Sequence, residues 1–218
     1  MEDAAAAATL EVMSSEATLP GSGEAEARRR PGPEDAIEVA RREFLACRRV
    51  DIGRVADELG VNRTTVYRWF GGRGELLAET MWSLSREVAD TALEQSNARG
   101  IDRVFETMRT FVEVISTSPA YLHLLENEPR AAARVLFNGP HSMRARSIAW
   151  NEELLRAEGD LLAPGVDPAL AARAITRCGE VFLYGDQLGD ADPNVADTVE
   201  IVRLILDGAT AKPEGPRV

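Results

Sequence analysis

Residues Asp51 to Leu77 read DIGRVADELGVNRTTVYRWFGGRGELL, and two apolar stripes run through that stretch. Ile52, Val55, Ala56 and Leu59 recur at helical spacing and stop at Gly60. Val61, Val66 and Phe70, with Thr65 and Trp69 beside them, form a second stripe after a gap too short for anything but a tight turn. Two short helices joined through a glycine make a helix-turn-helix, whose second helix enters the major groove of DNA. The other side of the second segment carries Asn62, Arg63, Thr64, Tyr67 and Arg68, which supply hydrogen-bond donors and no carboxylate. Phosphates and base edges are recognised by that chemistry.

Charge distribution points the same way. The chain of 218 residues has a formal net charge of −11, which excludes a protein that coats nucleic acid nonspecifically. Between Gly60 and Gly74, however, stand Arg63, Arg68 and Arg73 and no acid. A local basic footprint in an acidic chain suits sequence-selective binding, because acid elsewhere limits nonspecific affinity. Arg63 and Thr64 open the recognition helix, and Tyr67 offers its hydroxyl to a phosphate while its ring packs. Asn62 and Thr65 complete the surface, Arg68 and Arg73 are expected on phosphates, and Arg54 stands beside them.

The segment resembles the DNA-binding domain of the TetR family of transcriptional repressors. Its parts match in order over about residues 35 to 85: a small-residue helix, a Gly-Val turn, Thr-Val-Tyr-Arg-Trp-Phe, a Gly-Gly-Arg-Gly connector, and a helix opening with Glu75-Leu76-Leu77. The connection from Phe44 to Val55 is shorter than the family's usual one. Asp51 stands where the family often has Thr, so that residue's phosphate contact does not carry over. An aspartate there suits a helix N-cap instead. EVFLYGDQLGD at 180–190 and VEIVRLIL at 199–206 are similar to the quorum-sensing-disruption repressor branch. The resemblance implies operator DNA as partner, a homodimer built from the last two helices, and a small-molecule effector in the helical body. The branch further implies a lactone or acyl compound.

Around this head the pattern is all-α, with about nine helices. Residues 1–32 read as a disordered tail ending in Arg28-Arg29-Arg30-Pro31-Gly32-Pro33, a flexible segment or a basic arm for a minor groove. The head spans 33–80, the body 81–211, and 212–218 form a tail. Helix one is expected over 34–48, helix four from 74 or 75 to 97, and further helices over 101–116, 119–125, 129–137, 141–157, 167–189 and 192–211. Over much of their surface the last two are apolar, which requires burial on more than one side.

Phe105, Met108, Phe111, Tyr121, His123, Trp150, Tyr184 and Gln187 are the candidate pocket residues, an aromatic and polar mix that suits a small-molecule site and equally suits plain core. An enzyme is not expected. The two histidines, His123 and His141, lie in no zinc spacing, no Gly-rich phosphate loop or GxSxG elbow occurs, and no metal or cofactor is expected. Glu152-Glu153 and the Glu126/Glu128 pair read as solvated faces. Cys47 and Cys178 read as separate cytoplasmic thiols. No apolar run approaches the roughly 18 residues of a membrane span, and there is no basic leader with a small-residue cleavage site. The remaining alternative is a helix-turn-helix module without an effector.

Overall fold

Prolines and glycines set most of the boundaries. A computed structural model describes residues 29–157, 162–163, 165–184 and 195–209, and every statement below concerns these. They form ten helices, one for each of the expected ranges: α1 (Pro33–Leu45), α2 (Ile52–Leu59), α3 (Arg63–Phe70), α4 (Arg73–Gln95), α5 (Gly100–Thr117), α6 (Pro119–Asn127), α7 (Pro129–Phe137), α8 (Met143–Ala157), α9 (Pro168–Leu183) and α10 (Val195–Ala209). Proline occupies the first turn of α1, α6, α7 and α9, where its missing N–H has no helical partner to lose.

Three boundaries differ from expectation. α1 ends at Leu45 because Cys47 turns into the left-handed region at φ 53° and Arg48 N–H closes back on the Glu43 carbonyl. α8 starts at Met143, since Gly139 and Pro140 hold a turn and the Ser142 hydroxyl accepts from Ala145 N–H at 3.3 Å. α9 ends at Leu183, short of the expected 189, with Tyr184 as its C-cap and the Tyr184 N–H on the Glu180 carbonyl; residues 185–194, including Gln187, lie outside the described residues. So do residues 1–28 and 210–218, which hold most of both expected tails.

The buried apolar residues form two clusters. The first begins in the head with Val39, Phe44, Val55 and Val66, continues through Leu76, Leu77, Met81 and Leu84 of α4, and reaches Tyr121, Leu124 and Leu136 of α6 and α7. The second joins Val104 and Met108 of α5 to Leu154 and Leu155 of α8, Ile175 of α9, and Val202 and Leu206 of α10. With 23 residues α4 is about 34 Å long, and it carries the head core directly into the body.

Candidate nucleic-acid interface and body cavity

Side-chain caps set the starts of both helices of the motif. The Asp51 carboxylate accepts from Arg54 N–H at 3.1 Å, as the N-cap reading anticipated. That bond first, and then burial opposed by a second backbone bond and by arginine charge, leaves its pKa below the ordinary value. α2 ends at Gly60, whose φ of 65° lies where a side chain would be strained. Asn62 then caps α3, its carbonyl oxygen accepting from Thr64 N–H at 2.9 Å and from the Thr64 hydroxyl at 2.8 Å. Asn62 therefore positions the recognition helix, and Thr64 is tied to it.

Val66 is fully buried, and this fixes the roll of α3. Asn62, Arg63, Thr64, Tyr67 and Arg68 are consequently exposed and Thr65 is half-buried. Tyr67 is 52% exposed, which leaves its hydroxyl available. Gly53 leaves room for the Arg63 guanidinium, because a Cβ there would lie 2.8 Å from it. Arg63 also approaches Asp57, at 3.9 Å between two exposed side chains, a separation at which an ion pair in water is weak. Arg68 is exposed and has no ion-pair partner among the described residues.

Two arginines expected at the DNA are engaged elsewhere. Arg73 donates from Nε to the Val50 carbonyl at 2.6 Å and from its terminal nitrogen to Glu128 at 2.7 Å. Its side chain is only 21% exposed. Arg54 donates to Glu43 at 2.7 Å, although over half of its side chain stays exposed. Glu128 corrects the solvated-face reading as well: it lies in the corner between α6 and α7, held by Arg73 and approached by Arg49 at 3.5 Å. A basic residue in the connector was legible in the sequence; the carboxylate 55 positions away that occupies it was not.

The candidate pocket residues divide. Met108 and Phe111 line two adjoining cavities between α4, α5, α8 and α9, Trp150 lines the smaller and Tyr184 the larger. Phe105 stands apart under the Arg203 guanidinium, 5.1 Å from its ring centroid. Tyr121 is a core peg rather than a lining residue. Its buried hydroxyl donates to the Met81 carbonyl at 3.1 Å and hydrogen-bonds to Ser85, its ring meets Phe44 edge-on, and burial pushes its pKa well above the usual tyrosine value. His123 is engaged with Asn127 on α6, 3.2 Å away, outside either cavity. The polar lining was missed: Ser85, Arg144, Ser147, Asn151, Thr176 and Glu180. Asn151 had a signal, since it shares one helical face with Ile148, Leu154 and Leu155.

A larger cleft of about 510 Å³ lies between head and body, lined by Ile37, Trp69 and Phe70 on one side and Arg134, Val135 and Pro140 on the other. It opens to solvent and separates the end of α3 from α7. The cavities at the meeting of the two cores are far smaller, at 60 and 40 Å³, and they combine buried hydrogen-bonding groups with an apolar wall, the combination expected of a ligand site. Cys178 is a poor thiolate, burial pushing its thiol pKa up. Among the described residues no cluster of potential metal ligands occurs, and no helix is long and apolar enough to cross a membrane.

The family model described as "Tetracyclin repressor-like, C-terminal domain" matches residues 99–207, a span containing most of the cavity-lining helices. In three dimensions the chain is similar to the transcriptional repressor QsdR of the TetR family from R. erythropolis, with a TM-score of 0.73 and 25% identity over 84% of this chain and 97% of that one. No curated protein matches it in sequence.

Proposed function

The chain belongs to the TetR family of transcriptional regulators, on its QsdR-like side, and from that premise we propose that it is a ligand-responsive homodimeric repressor acting on operator DNA in the cytoplasm. The observation that carries the DNA half is the N-terminal face of α3, where Arg63, Thr64, Tyr67 and Arg68 are exposed around a helix rolled into place by buried Val66. Arg63 faces bases and Arg68 a phosphate, while Arg73 acts as a brace.

α4 supports the ligand half, because the helix that enters the head also supplies Trp82, Ser85 and Ala89 to the cavity wall. A cavity of 60 Å³ holds little more than a couple of water molecules. An effector entering it parts α4 from α8 and thereby favours a different head position. The recognition helices of a dimer then no longer match major grooves about 34 Å apart. Such coupling needs only about 1–3 kcal/mol. Leu170 and Leu204, 60% and 62% exposed on α9 and α10, supply the apolar face for dimerisation. The tightness of the cavity also favours a second reading, a DNA-binding module with no effector.

The decisive experiment titrates the purified chain onto DNA from its own upstream region against salt. Arg68→Ala should weaken all sequences alike and lower the salt slope by about one, whereas Arg63→Ala should relax base preference. If neither substitution changes binding, α3 is not the reading element.

A further inference from the structure

We infer that the body cavity takes an uncharged amphipathic ligand, a short apolar chain with a neutral hydrogen-bonding head, and discriminates against anions and cations; this rests on reading the cavity as the effector site. The carrying observation is that charge on its wall is already matched. Arg144 of α8 meets Glu180 of α9 with Nε at 2.7 and 2.9 Å from the two carboxylate oxygens and a terminal nitrogen at 2.7 Å. The Glu180 side chain is only 9% exposed, and the Arg144 guanidinium lies over the Phe137 ring at 4.7 Å. Arg177 approaches the same carboxylate at 3.9 Å from an exposed position. Arg86, the other charged lining residue, is held by both oxygens of Asp90 at 2.8 Å.

An anionic ligand gains Arg144 only by displacing Glu180, which leaves a nearly buried carboxylate without its closest partner. A cation meets the converse penalty at Arg144. Breaking a buried pair by removing one partner costs more than a new pair returns, because the orphaned charge stays desolvated. A neutral head has no such cost. Ser85 and Ser147 contribute hydroxyls, and Asn151 donates to the Thr176 hydroxyl at 2.9 Å, so its carbonyl oxygen is the group left to accept. Away from this polar end, Trp82, Ala89, Met108 and Trp150 provide an apolar wall for the chain.

Calorimetry on the full chain near neutral pH, with hexanamide, hexanoate and hexylammonium as probes of matched chain length, tests this directly. Hexanamide should bind at least about tenfold more tightly than either ion. Glu180→Gln, which strips Arg144 of its counter-charge, should tighten hexanoate by about tenfold and so narrow that preference by the same factor. Equal or tighter binding of either ion to the unmodified chain, a folded E180Q with unchanged hexanoate affinity, or silence of all three probes would each overturn the inference. The ranking on the unmodified chain decides even if E180Q does not fold. Operator binding on the same samples separates the two readings. Amide binding that leaves the operator occupied overturns the effector role alone, and release by hexanoate but not hexanamide overturns the neutral-ligand inference alone.

Discussion

At the scale of single residues, carboxylates decide which arginines remain for DNA. Glu43 is 8% exposed, accepts from Arg48 at 2.8 and 3.1 Å, and accepts from Arg54 at 2.7 Å. The Arg48 hydrogen bond, with the charges of Arg48 and Arg54, outweighs burial and holds its pKa below the usual 4.5. A depressed carboxylate stabilises the fold above its unfolded value and loses that contribution as pH falls through the folded one. Stability of the chain should therefore decline as pH drops below 4.5. Glu43→Gln should be less stable at neutral pH and show a shallower decline in acid. Urea unfolding at neutral and acidic pH checks this; an unchanged acid slope would mean that Glu43 is not the coupled group.

At the scale of elements, the joint at the start of α4 is the informative one. Arg73 ties the turn before α2, through the Val50 carbonyl, to Glu128 at the corner of α6 and α7. One side chain thus spans head, linker helix and body. Arg73→Ala and Glu128→Gln should destabilise the chain in the same direction and combine less than additively, as partners in one contact do. Operator salt slope should be unaffected by Arg73→Ala. A slope lowered by about one would instead put Arg73 on a phosphate and make its bond to Glu128 dispensable. Helix-end chemistry in the same region follows local rules: Asp51 and Asn62 cap because each has a carbonyl or carboxylate oxygen within reach of an N–H two or three residues ahead.

At the scale of the molecule, two apolar clusters meet across a polar seam of Ser85, Asn151, Thr176, Arg144 and Glu180. Polar groups at such a meeting are satisfied by one another, and they leave less apolar surface gluing the halves together. On α9 and α10, Leu170 and Leu204 are both more than half exposed, and the proposed dimer would cover them. Leu204→Glu should shift sedimentation from dimer to monomer and weaken operator binding while leaving α3 untouched, because paired half-sites are read by a pair of heads. A variant that stays dimeric would place the interface on another face.

What the sequence determined by itself was whatever depends on neighbours along the chain. Apolar periodicity, Gly60, the prolines and the caps are local, so the all-α fold, the helix-turn-helix and the exposed face of α3 were legible from Asp51 to Leu77. Ranges differing by two or three residues, as at Leu45 and Met143, arose where a local turn ended or delayed the helix. The engagement of Arg73 and the membership of the body cavity were decided only in three dimensions. Glu128 lies 55 residues from Arg73, and Glu180 lies 36 from Arg144. Tyr121, chosen for its chemistry, is a core peg because Ser85, Met81 and Phe44 surround it. An ionic or hydrogen-bonding side chain takes its role from the group it meets, and pairing at such separations is set by helix packing, which no local pattern encodes.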